Sequence, residues 1–104
     1  MIQRTEARRL SAKNEWTLIS SSLPPALVAL SVARLKSKIV RARKLRQKYE
    51  DLYRRQKLSA RSRMTGAPYE KLNLRTARKR KMFEEAMVRL QHQLRKVSVH
   101  AKAA

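Results

Sequence analysis

The chain has 104 residues, 27 Lys or Arg against seven Asp or Glu, and a formal net charge of +20. That length suits one small domain with a thin core. An apolar share of 42% excludes a basic disordered tail, and the absence of cysteine excludes disulfides and thiolate metal sites.

One glycine and three prolines leave few places to break a helix, and Ala, Leu, Lys and Arg favour one. The expected fold is all-α. A single domain over residues 1–104 is built on a long antiparallel helical hairpin, coiled-coil-like in its spacing, with a short N-terminal helix.

The first segment, "MIQRTEARRLSAKNEW", lacks the apolar core and cleavage site of a secretory signal. Glu6 and Glu15 also count against an acid-poor organelle presequence. A helix is predicted over 6–22, with Leu10, Trp16, Leu18 and Ile19 as its apolar residues and room for a break capped by Asn14. "SSSLPP" ends it. Ser22 before Pro24 and Pro25 then reads as the N-cap of a second helix over 24–60.

The second helix carries its apolar residues at Val28, Val32, Leu35, Ile39, Ala42, Leu45, Tyr49 and Leu52. The steps are threes and fours, which is sustained helical periodicity. Within it Glu50–Arg54 and Asp51–Arg55 are spaced for i,i+4 ion pairs. Arg46 falls where unbroken spacing puts an apolar residue, so it snorkels or crosses a dimer seam to an acid.

A turn is expected over 61–67, using Gly66, with Pro68 stopping the incoming helix. A third helix over 68–97 carries Phe83, Met87, Leu90, Leu94 and Val97, widened by Met82 and Ala86. Residues 98–104 read as a frayed tail. The second helix is expected to outreach the third, so its surplus stripe near Leu27–Leu35 meets the Trp16 helix or a second copy of the chain. Val28, Val32, Leu35, Ile39, Ala42, Tyr49, Leu52, Phe83, Met87, Leu90 and Leu94 are the expected core or oligomer seam. No apolar run is long enough to span a membrane.

Charge is unevenly placed. Between Arg34 and Lys81 there are 19 Lys or Arg and three acids, Glu50, Asp51 and Glu70. "VARLKSKIVRARKLRQKY" has eight basic residues and no acid. Like charges at i,i+4 destabilise a helix, and solvated faces normally mix signs. A polyanion is the simplest source of compensation, bound by counterion release and without sequence reading.

The expected contact residues on the second helix are Arg34, Lys36, Arg41, Arg43, Lys44, Lys48 and Arg55. The turn adds Arg61 and Arg63, and the third helix adds Arg75, Arg78, Lys79 and Lys81. Tyr69 is the one aromatic expected to stack on a base. Trp16 and Tyr49 read as core, the tyrosine with its hydroxyl at the rim.

No catalytic set stands out. His92 and His100 have no ligand-type neighbours for a metal. Glu84 and Glu85 are spaced to pair with Lys81 and Arg89. Too little glycine is present for a phosphate-binding loop. The expectation is a non-catalytic nucleic-acid-binding protein (RNA or DNA) with low sequence specificity, no cofactor, no metal and no small-molecule substrate. A homo-oligomer or protein partner is expected, and membrane binding is not. The alternative is a structural or adaptor subunit whose basic face docks on an acidic protein. Small, helical, very basic chains are compositionally similar to ribosomal and nucleoid proteins, so a cytoplasmic, nucleoid- or ribosome-associated location is expected.

Overall fold

The computed structural model describes the backbone of residues 2–63 and 67–103, and the side chains of residues 2–58 and 73–99. The described residues form helices joined by short connections, without a strand. In chain order they form α1 (Arg4–Leu10), α2 (Lys13–Ser21), a 3-10 turn (Ala26–Ala29), α3 (Val32–Arg63) and α4 (Ala67–Ala103). Helices α3 and α4 pack antiparallel as a long hairpin, and α1 and α2 fold back onto α4. The molecule measures 59 × 23 × 21 Å.

The expected first helix is two helices. Ser11 turns extended, and both its N–H and its hydroxyl bond back to the Ala7 carbonyl, at 3.1 and 2.7 Å. That closes α1. The break lies where "SAKNEW" allows it, but Ala12, not Asn14, sits at the cap position of α2. Alanine has no side-chain acceptor, so only half a capping box forms. Glu15 Oε1 accepts from the Ala12 N–H at 2.9 Å.

The second helix starts later than expected. Ser22 ends α2 instead of opening α3, and its hydroxyl donates to the Ile19 carbonyl at 2.6 Å. The chain then makes the 3-10 turn, becomes extended at Leu30, and starts α3 at Val32. The Ser31 hydroxyl accepts from the Arg34 N–H at 3.2 Å, so Ser31 is the working cap. As a result Val28 leaves the stripe and is 65% exposed, and Val32, the first residue of α3, is 37% exposed. Leu27 points inward instead.

Helix α4 continues past Val97 to Ala103. At 37 residues it is longer than α3 at 32, the reverse of the expected inequality. The 3-10 turn packs against α4, which gives the longer helix a neighbour near its end. Of the turn expected over 61–67, residues 61–63 belong to α3 and Ala67 to α4, and residues 64–66 lie outside the described residues.

The core is one cluster. Phe83, Leu18, Ile19, Leu35, Met82 and Leu90 are fully buried, joined by Ile39, Ala42, Tyr49, Ala86 and Met87. Leu45, Leu52, Leu94, Val97 and Trp16 pack on its edge. The stripe of α3 is therefore filled within one chain, by α4 and by α2. Each fully buried side chain of this size contributes about 1.5–3 kcal/mol.

Candidate nucleic-acid interface

The two flanks of the hairpin have different chemistry. Along one, acids on α3 and α4 lace the helices together. Arg80 Nε lies 3.1 Å from Glu50 Oε2, and Arg80 Nη1 lies 3.5 Å from Glu84 Oε2. Arg46 Nη1 reaches Glu84 Oε1 at 3.8 Å. Glu50 also takes the expected pair with Arg54, at 3.4 Å. Arg46 thus meets an acid across a seam, but the seam is internal. Asp51 accepts from Gln47 at 3.0 Å in place of the expected ion pair with Arg55.

The other flank carries α1 and α2. Glu15, only 4% exposed, accepts from the Tyr49 hydroxyl and from Lys79 Nζ at 3.2 Å. Lys79 Nζ also lies 3.3 Å from the Tyr49 oxygen and 4.9 Å from its ring centroid. The ring stacks on Phe83 with centroids 5.7 Å apart. Tyr49 is core as expected, but its hydroxyl is buried in this network rather than at the rim. Burial, then the Glu15 carboxylate, pushes the phenol far above its usual pKa. Burial also works to raise the Glu15 carboxyl, but hydrogen bonds from Tyr49, Ala12 and Lys79 outweigh it and hold the group low.

The remaining described acids also serve internal contacts. Glu6 on α1 pairs with Arg78 on α4, and Glu85 Oε1 accepts from the Ile2 N–H at 3.0 Å. Arg89 does not pair with Glu85 as spacing suggests. It donates to the Ser22 carbonyl at 3.2 Å and to the Ser22 hydroxyl at 2.9 Å, tying the end of α2 to α4. Burial lowers the Arg89 pKa, an effect that the charge of Glu85 opposes.

This use of acids divides the thirteen expected contact residues. Lys79 is withdrawn into the Glu15 network, with its side chain 16% exposed, and Arg78 is engaged by Glu6. Arg41 is exposed and donates to the Asn14 carbonyl at 3.0 Å. Arg34, Lys36, Arg43, Lys44, Lys48, Arg55, Arg75 and Lys81 are exposed, with no ion pair to an acid among the described residues. The side chains of Arg61, Arg63 and Tyr69 lie outside the described residues.

A row emerges on α3. Arg34, Arg41, Lys48 and Arg55 stand seven residues apart, so they share nearly one face and rise about 10.5 Å per step. Lys44 stands between two of them. By helical register the row lies on the flank that carries α2, and Lys36 and Arg43 lie on the ion-paired flank. The described aromatics offer no stacking platform. Phe83 and Tyr49 are buried, and Trp16 and Tyr53 are half-buried.

Among the described residues there is no group of three or more His, Asp or Glu able to hold a metal ion. None of the described helices is long and apolar enough to cross a membrane. No protein-family model, curated protein or solved structure matches this chain.

Sequence reasoning missed two participants. Glu15 draws Lys79 out of solvent and Glu6 engages the exposed Arg78, yet they stand 64 and 72 residues away in the chain. Local spacing carries no signal at that range.

Proposed function

We propose that this protein binds nucleic acid without catalysing a reaction, gripping the phosphate backbone through the basic face of α3 and the adjoining part of α4. The observation that carries this reading is the row Arg34, Arg41, Lys48 and Arg55 with Lys44, exposed along about 32 Å of helix. A duplex presents one negative charge per about 1.7 Å of its axis, so phosphates lie within reach of every cation in the row. The described acids, which usually mix into a solvated face, are here taken up by contacts within the chain.

Readout of bases has little to work with. Stacking needs exposed aromatic rings, and the described rings are buried or half-buried. Binding is therefore directed by charge and shape, to duplex DNA or structured RNA, with weak sequence preference.

The test is affinity for a labelled duplex measured across salt concentrations. With about six phosphates contacted on B-DNA, log K falls against log salt with a slope of about −5. A slope near zero, or no binding at about 50 mM salt, instead favours a structural or adaptor subunit docking on an acidic protein. Because the α3 stripe is filled in cis by α4, nucleic-acid binding by this row needs no second copy of the chain.

A further inference from the structure

The cleft between α1 and α4 holds a cation cluster that the α3 row does not include. Arg9 of α1 lines it with Arg75 and Arg78 of α4, around the carboxylate of Glu6. Glu6 contacts Arg78 directly, and Lys81 is close enough to act on its charge. Arg9 also acts on the Glu6 charge, and with Arg75 lining the cleft three guanidinium groups face one carboxylate's worth of negative charge, a surplus of positive charge. Arg9 and Arg75 are exposed, with no acid of their own among the described residues.

The cleft is not remote from α3. Arg75 acts on the Tyr49 phenol, and Lys48 Nζ stands 5.3 Å from the centroid of the same ring. Lys48 belongs to the α3 row. Tyr49 therefore joins the row to the cleft, and one backbone following the row can continue toward α1.

A carboxylate resembles a phosphate in charge and in the bidentate geometry that guanidinium prefers. Ion pairs as exposed as Glu6–Arg78 contribute little stability and exchange readily for other anions. We propose that the α1/α4 cleft is a phosphate subsite, with Glu6 standing in the free protein where a nucleic-acid backbone phosphate stands in the complex. Arg9 and Arg75 hold the phosphate, and Arg78 transfers to it from Glu6. The inference rests on the nucleic-acid reading above and extends it to α1, which the charge pattern of the sequence leaves out.

The experiment measures anisotropy of a fluorescein-labelled duplex of about 20 base pairs, two helical turns, across a salt series. The full chain is compared with Glu6→Gln, Arg9→Gln, Arg75→Gln and the triple variant Arg41→Gln, Lys44→Gln, Lys48→Gln. Arg9→Gln and Arg75→Gln each make the salt slope shallower by about one contact. Glu6→Gln removes the competing carboxylate and tightens binding about threefold or more. Inorganic phosphate at matched ionic strength leaves the duplex bound.

Salt slopes unchanged in both arginine variants overturn the subsite. So does Glu6→Gln binding that is equal or weaker with helicity intact, and so does displacement of the duplex by inorganic phosphate. If the triple variant still loses affinity in those cases, the α3 reading stands without the cleft. A full chain that binds no duplex overturns both. Arg9 is exposed on α1 and its substitution removes no core contact, so the Arg9→Gln protein folds and reports on the cleft even if Glu6→Gln loosens α1.

Discussion

The Tyr49 hydroxyl donates to Glu15 Oε2, joining residues 34 positions apart, and Lys79 Nζ closes the triangle from α4. Three helices meet at one buried carboxylate. Removing it leaves the phenol, an ammonium and the Ala12 N–H without their acceptor. Glu15→Ala is expected to lower stability by about 2–3 kcal/mol. Urea unfolding followed by circular dichroism measures it, and a loss under about 0.5 kcal/mol contradicts a structural role for the triangle.

The same carboxylate sets the acid side of stability. Its folded-state pKa lies below the usual 4.5, so the unfolded chain takes up the proton first as pH falls. The stabilisation is therefore complete above about 4.5 and is lost as pH drops through the lower folded value. Glu6 is also held low, first by its hydrogen bond from Arg78, but at an exposed site that contributes little. Unfolding free energy is expected to stay level down to about pH 5 and fall below it. The fall is expected to be shallower in Glu15→Ala.

Exposure separates two residues that share one periodic stripe in the sequence. Leu35 is fully buried and Val28 is 65% exposed. Leu35→Ala is expected to cost about 2–5 kcal/mol, and Leu35→Asp to abolish cooperative folding. Val28→Ser is expected to stay within about 0.5 kcal/mol of the parent. Thermal melts of the three variants test this. A large loss at Val28 reveals a partner covering that end of the molecule.

Replacing Arg41, Lys44 and Lys48 together with Gln tests the α3 row without touching the core. Gln keeps helix propensity nearly constant. The substitution removes like-charge repulsion, set against the exposed hydrogen bond from Arg41 to Asn14. Helicity and melting temperature are expected to hold. Affinity falls alike for every duplex sequence, and the salt slope becomes shallower by up to about three contacts. Unchanged binding moves the contact surface to α4.

The sequence by itself determined the long helices and much of their core face. Leu35, Ile39, Ala42 and Tyr49 recur at three- and four-residue steps or their sums, as do Phe83, Met87 and Leu90, and all seven are buried. Helical periodicity needs only local geometry to act, so it survives in the bare sequence. The excess of cations on α3 is equally local, since it follows from counting.

Tertiary structure decided where the stripe ends and which cations remain free. Val28 keeps the spacing of the stripe, but it lies in the 3-10 turn and is exposed, and Val32 at the start of α3 is left at 37% exposure. Lys79 and Arg78 look like their neighbours Arg75 and Lys81 in the sequence, yet α1 and α2 bring Glu6 and Glu15 onto them. Coulomb attraction depends on separation in space, and a carboxylate more than sixty positions away has no place in any helical repeat. Only the folded chain brings it near.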